Sequence, residues 1–131
     1  MAATIRKGSE YGRPLLQADL VPIDAAAPAD VAVIPVPAEL AARGYRVTGF
    51  LVYNASGAPV LAQLALRNAA AGAGDALVAA AVLTALTGVL EVLSMTVAVG
   101  AKQTATSLYA RLTVANVAAE TVSVKVLYEP L

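Results

Sequence analysis

From residue 43 onward, apolar and polar positions alternate with the period of two that sends successive side chains to opposite faces of a strand. The clearest stretch is 45–54, where Val47, Gly49, Leu51 and Tyr53 share one face and Arg46, Thr48, Phe50 and Val52 the other. Residues 60–67 follow the same rule, with Val60, Ala62, Leu64 and Leu66 set against Leu61, Gln63, Ala65 and Arg67. Between them Asn54-Ala55-Ser56-Gly57-Ala58-Pro59 has turn composition, so an antiparallel hairpin of the two stretches is expected. Residues 107–114 and 121–128 read as strands with one dry face, formed by Leu108, Ala110, Leu112 and Val114 and by Val122, Val124, Val126 and Tyr128.

Residues 76–99 are harder to assign. The alanine-rich run 76–82 suits a strand or a helix, since short apolar runs lack a decisive period. A turn over residues 84–88 is expected next, then a strand over 89–99 with Val89, Glu91, Leu93, Met95, Val97 and Val99 in register. The whole run has the length of a membrane helix, but Glu91, four hydroxyl residues, Gly88 and the absence of basic or aromatic flanks oppose that reading. Glu91 fits an outward or interface position that discourages wrong edge pairing.

Upstream the pattern changes. Residues 1–38 hold Pro14, Pro22, Pro28, Pro35 and Pro37, a spacing that excludes an ordinary helix and favours extended backbone with short strand-like pieces such as 31–36. This segment is expected to be an extended N-terminal arm preceding a body at 39–131; a disordered tail is the alternative, since 25–30 is linker-like. Ile5, Leu15, Leu16, Leu20, Val21 and Ile23 have little reason to exist in a solvated tail and are candidate anchors on a neighbour. Residues 37–44 read as a helical turn or two opened by proline and closed by Gly44. Six or more strands with turns between them indicate an all-β antiparallel sandwich or barrel, with a jelly-roll-like sandwich as a leading candidate.

Composition moves the picture from catalysis toward assembly. The chain is 59% hydrophobic and 14% charged, against roughly 45–50% and 25% in ordinary domains, so apolar surface exceeds what a lone monomer hides easily. Nine basic and nine acidic residues cancel, which leaves no cationic surplus for nucleic acid. There is no histidine and no cysteine, which removes the commonest general base, transition-metal ligand and thiol nucleophile. Lys7, Lys102 and Lys125 sit in no Ser-Lys pattern, the carboxylates are scattered, and Gly72-Ala73-Gly74 lacks phosphate-loop spacing. No enzyme activity, cofactor or metal is expected. Phe50, Tyr53 and Tyr109 are candidate core or interface aromatics. Residues 1–12 are polar with no apolar stretch behind them, so cytoplasmic synthesis without a secretory signal is expected.

The strand and turn Thr48-Gly49-Phe50-Leu51-Val52-Tyr53-Asn54-Ala55-Ser56-Gly57, the strand Ser107-Leu108-Tyr109-Ala110-Arg111 and the closing Val122-Ser123-Val124-Lys125-Val126-Leu127-Tyr128 resemble small virion proteins of tailed bacteriophages. The texture over residues 47–131 is most similar to a capsid decoration, or cement, protein. That resemblance implies a β-rich, often trimeric subunit on the outer shell of a particle, bridging major capsid protein subunits and made in the host cytoplasm, with neither nucleic acid nor membrane as partner. A host-surface or carbohydrate-binding module of a head or tail fibre is the alternative, and a bacterial adaptor or enzyme subunit a third reading.

Overall fold

The alternation in 107–113 survives folding: Leu108, Ala110 and Leu112 are buried while Ser107, Tyr109, Arg111 and Thr113 are half-buried on the other face, and only Val114, expected on the dry face, is exposed. The computed structural model describes residues 15–131. Its strands are β1 (Leu16–Pro22), β2 (Ala29–Pro35), β3 (Tyr45–Tyr53), β4 (Gln63–Arg67), β5 (Ala76–Val82), β6 (Val92–Met95), β7 (Ser107–Val114) and β8 (Thr121–Pro130), with a short helix α1 (Ala38–Arg43) between β2 and β3. They form two four-stranded sheets, ordered β1-β8-β3-β6 and β2-β7-β4-β5, and every pairing is antiparallel. The expected all-β antiparallel sandwich is therefore observed.

The core lies between the sheets. Leu16, Ile34, Tyr45, Phe50, Leu64, Leu66, Leu77, Leu108 and Leu112 are fully buried there, each such side chain being worth about 1.5–3 kcal/mol of transfer free energy. The pairing is interleaved: β1 joins β8, β2 joins β7, β3 joins β6 and β4 joins β5, as though one long hairpin with its turn at β4–β5 had been rolled up.

Several expectations are corrected. The expected hairpin of 45–54 with 60–67 does not form, because β3 and β4 belong to different sheets and the turn-rich segment between them crosses the sandwich. The simple alternation in β3 also fails: Val47, Phe50 and Val52 are all buried. A register shift between Val47 and Gly49 inserts one residue, and a bulge of this kind reverses the inward phase beyond it. A Cβ at Gly49 would lie 2.9 Å from Leu127 Cδ1, so a larger residue there displaces the Leu127 side chain.

The strand expected over 89–99 shrinks to Val92–Met95; Val89 and Glu91 lie in the preceding loop, and Val97 makes an isolated bridge to Val78. Residues 76–82 form a strand, not a helix, and no helix among the described residues is long and apolar enough to cross a membrane.

The larger correction concerns the arm. Residues 16–35 supply a strand to each sheet, and Leu16, Val21 and Ile23 are 1%, 2% and 0% exposed in the molecule's own core, unavailable as anchors on a neighbour. Prolines do not prevent this, because β1 and β2 are outermost strands and Pro22 and Pro35 close them, where a missing N–H interrupts no ladder. A register shift between Ala18 and Val21, with Leu20 at φ 55°, turns Leu20 outward and returns Val21 to the core. The boundary expected at 38/39 thus runs through one continuous core. Helix α1 ends at Gly44, whose N–H donates to Leu40 O at 2.9 Å, but at φ 95° and ψ 155° the glycine is not in the αL conformation expected of it.

Tyr45 is fully buried and its hydroxyl donates to Ala105 O at 2.8 Å. Burial pushes its pKa up to about 12 from 10.0. A phenol that stays protonated in the fold but ionises more readily unfolded stabilises the protein fully below pH 10 and loses that contribution as pH rises toward 12. Urea unfolding of Tyr45→Phe should show a loss of about 1 kcal/mol at neutral pH and a distinctly smaller further loss between pH 10 and 12 than the parent protein shows.

Candidate assembly surface

Four connections, residues 23–28, 54–62, 83–91 and 115–120, meet at one end of the sandwich, where β1, β3, β5 and β7 finish and β2, β4, β6 and β8 begin. Large apolar side chains crowd this end. Val60 and Leu61 are 56% and 53% exposed on the β3–β4 connection, and Val114 and Val117 are 37% and 71% exposed around the β7–β8 connection. Val82, Val89, Leu90 and Val92, exposed by 50 to 92%, belong to β5, β6 and the loop between them. With aliphatic side chains presenting roughly 150–180 Å² when free, these fractions leave about 800 Å² of apolar surface, more than the ~300–600 Å² patch of a typical monomer and about what one partner buries in a standard interface.

The connections are held in place by one side chain. Asn116, 6% exposed, accepts from Val60 N–H at 2.7 Å and Leu61 N–H at 3.3 Å through Oδ1, and donates through Nδ2 to Ala118 O at 3.1 Å and Glu120 Oε1 at 3.0 Å. Its backbone N–H donates to Ile23 O at 2.6 Å, and Ile23 N–H donates to Glu120 O at 3.1 Å. Three of the four connections are thereby fastened together. The fourth is anchored by the buried Leu83 and Leu86, with Leu83 N–H donating to Ala62 O at 3.1 Å. A surface fixed in advance pays less ordering entropy when a partner covers it.

Beside this end the sandwich is open. β6 is four residues long, and it is the segment after it that reaches β5, through the Val78–Val97 bridge and the Ala98 and Val99 N–H bonds to Leu77 O. Ala79, Ala80, Ala81 and Val82 are exposed on both faces of β5. They border a groove of about 270 Å³ whose other wall is Leu93, Ser94, Met95 and Thr96.

The interface candidates read from sequence fall in different places. Leu15 and Leu20 are exposed, 46% and 74%, on the β1 side of the sheet, away from the apolar end in the case of Leu15. Phe50 is a core residue at 0% exposure, which leaves the core and not the interface of the two roles expected for it. Tyr53 lies on the outer face of one sheet with Lys125 Nζ 5.9 Å from its ring centroid, its pKa raised by burial and by the charge of Asp19. Tyr109 lies in the other sheet, so the two form no shared aromatic platform. Ile5 lies outside the described residues. Sequence reasoning missed Asn116 and the loop aliphatics; the sequence signal was a polar residue at the close of an apolar strand and four connections with no basic residue.

Comparison with family models, with curated proteins and with solved structures finds no match for this chain.

Replacing Asn116 with alanine strands the Val60 and Leu61 N–H groups, a cost of about 1–3 kcal/mol. Denaturant unfolding should show that loss, and amide exchange at Val60 and Leu61 should accelerate well beyond the change at β8.

Proposed function

We propose that this protein is a jelly-roll structural subunit of a virion, one that decorates a phage capsid and stabilises it by bridging major capsid protein subunits, with further contacts between its own copies. The interleaved strand order supports the jelly-roll reading, an architecture that recurs in capsid domains. The sequence resemblance to small virion proteins supports the same reading.

The observation that carries the proposal is the pre-fixed apolar end. Its four connections contain no basic and no aromatic residue, and their only charges are Asp24, Glu91 and Glu120. Membrane-inserting loops favour aromatic and basic residues, so this end suits a protein partner: an apolar patch framed by lysine or arginine. Covering about 800 Å² of aliphatic surface supplies the driving force, and repeated copies on a regular shell turn modest contacts into high avidity.

Leu61→Asp and Val117→Asp place a charge in the centre of this surface on exposed positions that the fold does not need. Each variant should keep the parent's circular dichroism and melting temperature while attaching to purified particles at least tenfold more weakly. Unchanged attachment of both would overturn the proposal.

A further inference from the structure

We infer that the β5–β6 unit binds a second copy of this chain, the β5–β6 loop of one copy seated in the β5/β6 groove of the next. This rests on the assembly reading above and names one of its partners.

The groove exists because the sandwich is left incomplete. Ala81 pairs with the buried Leu64, and Leu93 and Met95 pair with the buried Val52 and Phe50. These three side chains therefore face the space between the sheets, where elsewhere the opposite sheet covers its counterpart. The volume, about 270 Å³, is roughly twice the ~150 Å³ that accommodates one benzene, so a pair of aliphatic side chains fits. No residue lining it is charged.

The same unit carries a matching projection. Leu90 is 92% exposed, the most exposed large apolar side chain among the described residues, with Val89 beside it at 57%. The projection is stiff: Leu83 and Leu86 are buried at its base, Glu91 N–H donates to Gly88 O at 3.2 Å, and Thr87 Oγ1 donates to Glu91 Oε1 at 2.8 Å. Residues 76–90 carry no charge, and the one charge of the loop, Glu91, is held beside the projection by Thr87 Oγ1.

The molecule does not fill its own groove with Leu90, since that side chain stands in solvent. Residues 1–14 are a poorer occupant: they offer Ile5 as their one branched aliphatic among Arg6, Lys7, Glu10 and Arg13. Projection and groove are different surfaces, so the contact is head-to-tail, and copies sharing it close into a ring when the rotation permits. Leu90 and Val89 with the groove walls that would receive them hide on the order of 500 Å², well under the ~1,200 Å² of a standard-size interface. Ring closure compensates, because each copy then makes two contacts.

Sedimentation equilibrium of the full chain tests this with two lesions. Leu90→Asp removes the projection, and Ala81→Leu fills the groove, with Ser94→Arg at the exposed groove rim as a second groove variant should Ala81→Leu lose its parental circular dichroism. The parent protein should associate in the micromolar range, each variant alone should self-associate at least tenfold more weakly, and an equimolar mixture of a projection variant and a groove variant should form a one-to-one dimer. That dimer arises because one intact projection and one intact groove remain. A monomeric parent, variants that associate like the parent, or a mixture that stays monomeric would each overturn the inference. A parent that is monomeric yet attaches to particles would sink this inference alone. Loss of particle attachment with self-association intact would not touch it, and an oligomeric parent indifferent to Leu61→Asp on particles would sink only the docking reading.

Discussion

The structure depends on burying the inner faces of two sheets whose strands are mostly remote in sequence. Only β4 and β5 are both consecutive and paired; β1–β8, β2–β7, β3–β6, β3–β8 and β4–β7 all close long loops before their contacts repay the entropy. Small aliphatic side chains make that burial affordable only as a whole. No single hairpin has a dry face of its own, so the core around Tyr45, Phe50, Leu64 and Leu112 holds the strand order together.

The same constraint explains why one end is sticky. The strand order leaves β6 and β5 at the edges of their sheets, and β6 is four residues long against seven in β5. Apolar surface that a longer β6 would hide stays uncovered at Ala79–Val82. Asn116 then fixes the neighbouring connections with satisfied hydrogen bonds, and Gly57 packs so closely on Glu120 that a Cβ would meet its carboxylate. An exposed aliphatic surface on rigid loops is a costly feature for a solitary monomer and a useful one for a component of an assembly.

The two ends of the sandwich differ in chemistry. At the end opposite the apolar one, Arg46 donates to Gly100 O at 2.8 Å and pairs with Glu129 at 3.0 Å, Arg67 donates to Ala73 O and Gly74 O, and Asn68 bonds the buried Gln103 at 2.9 Å. Exposed pairs of this kind contribute at most about 1 kcal/mol. Their effect is to keep that end polar and solvated. One end of the molecule is thus wet and of mixed charge, the other aliphatic and acidic.

Strand periodicity in 107–114 and 121–128, the existence of a strand in 45–54, turn chemistry at 54–59 and the helical turn closed by Gly44 were legible, because alternation, glycine and proline act over a few residues, whereas 76–82 suited strand and helix alike. The absence of histidine and cysteine was equally plain. Partner choice was not legible: whether β3 pairs with β4 or with β8, and whether residues 16–35 leave the body or join it, depends on which remote face can be buried, and local pattern is the same either way. The register shift between Val47 and Gly49, beyond which Phe50 faces the core, belongs to the pairing of β3 with β8. The aliphatic residues of four separated connections became one surface, with Asn116 beneath it, only when the sandwich brought those connections to the same end.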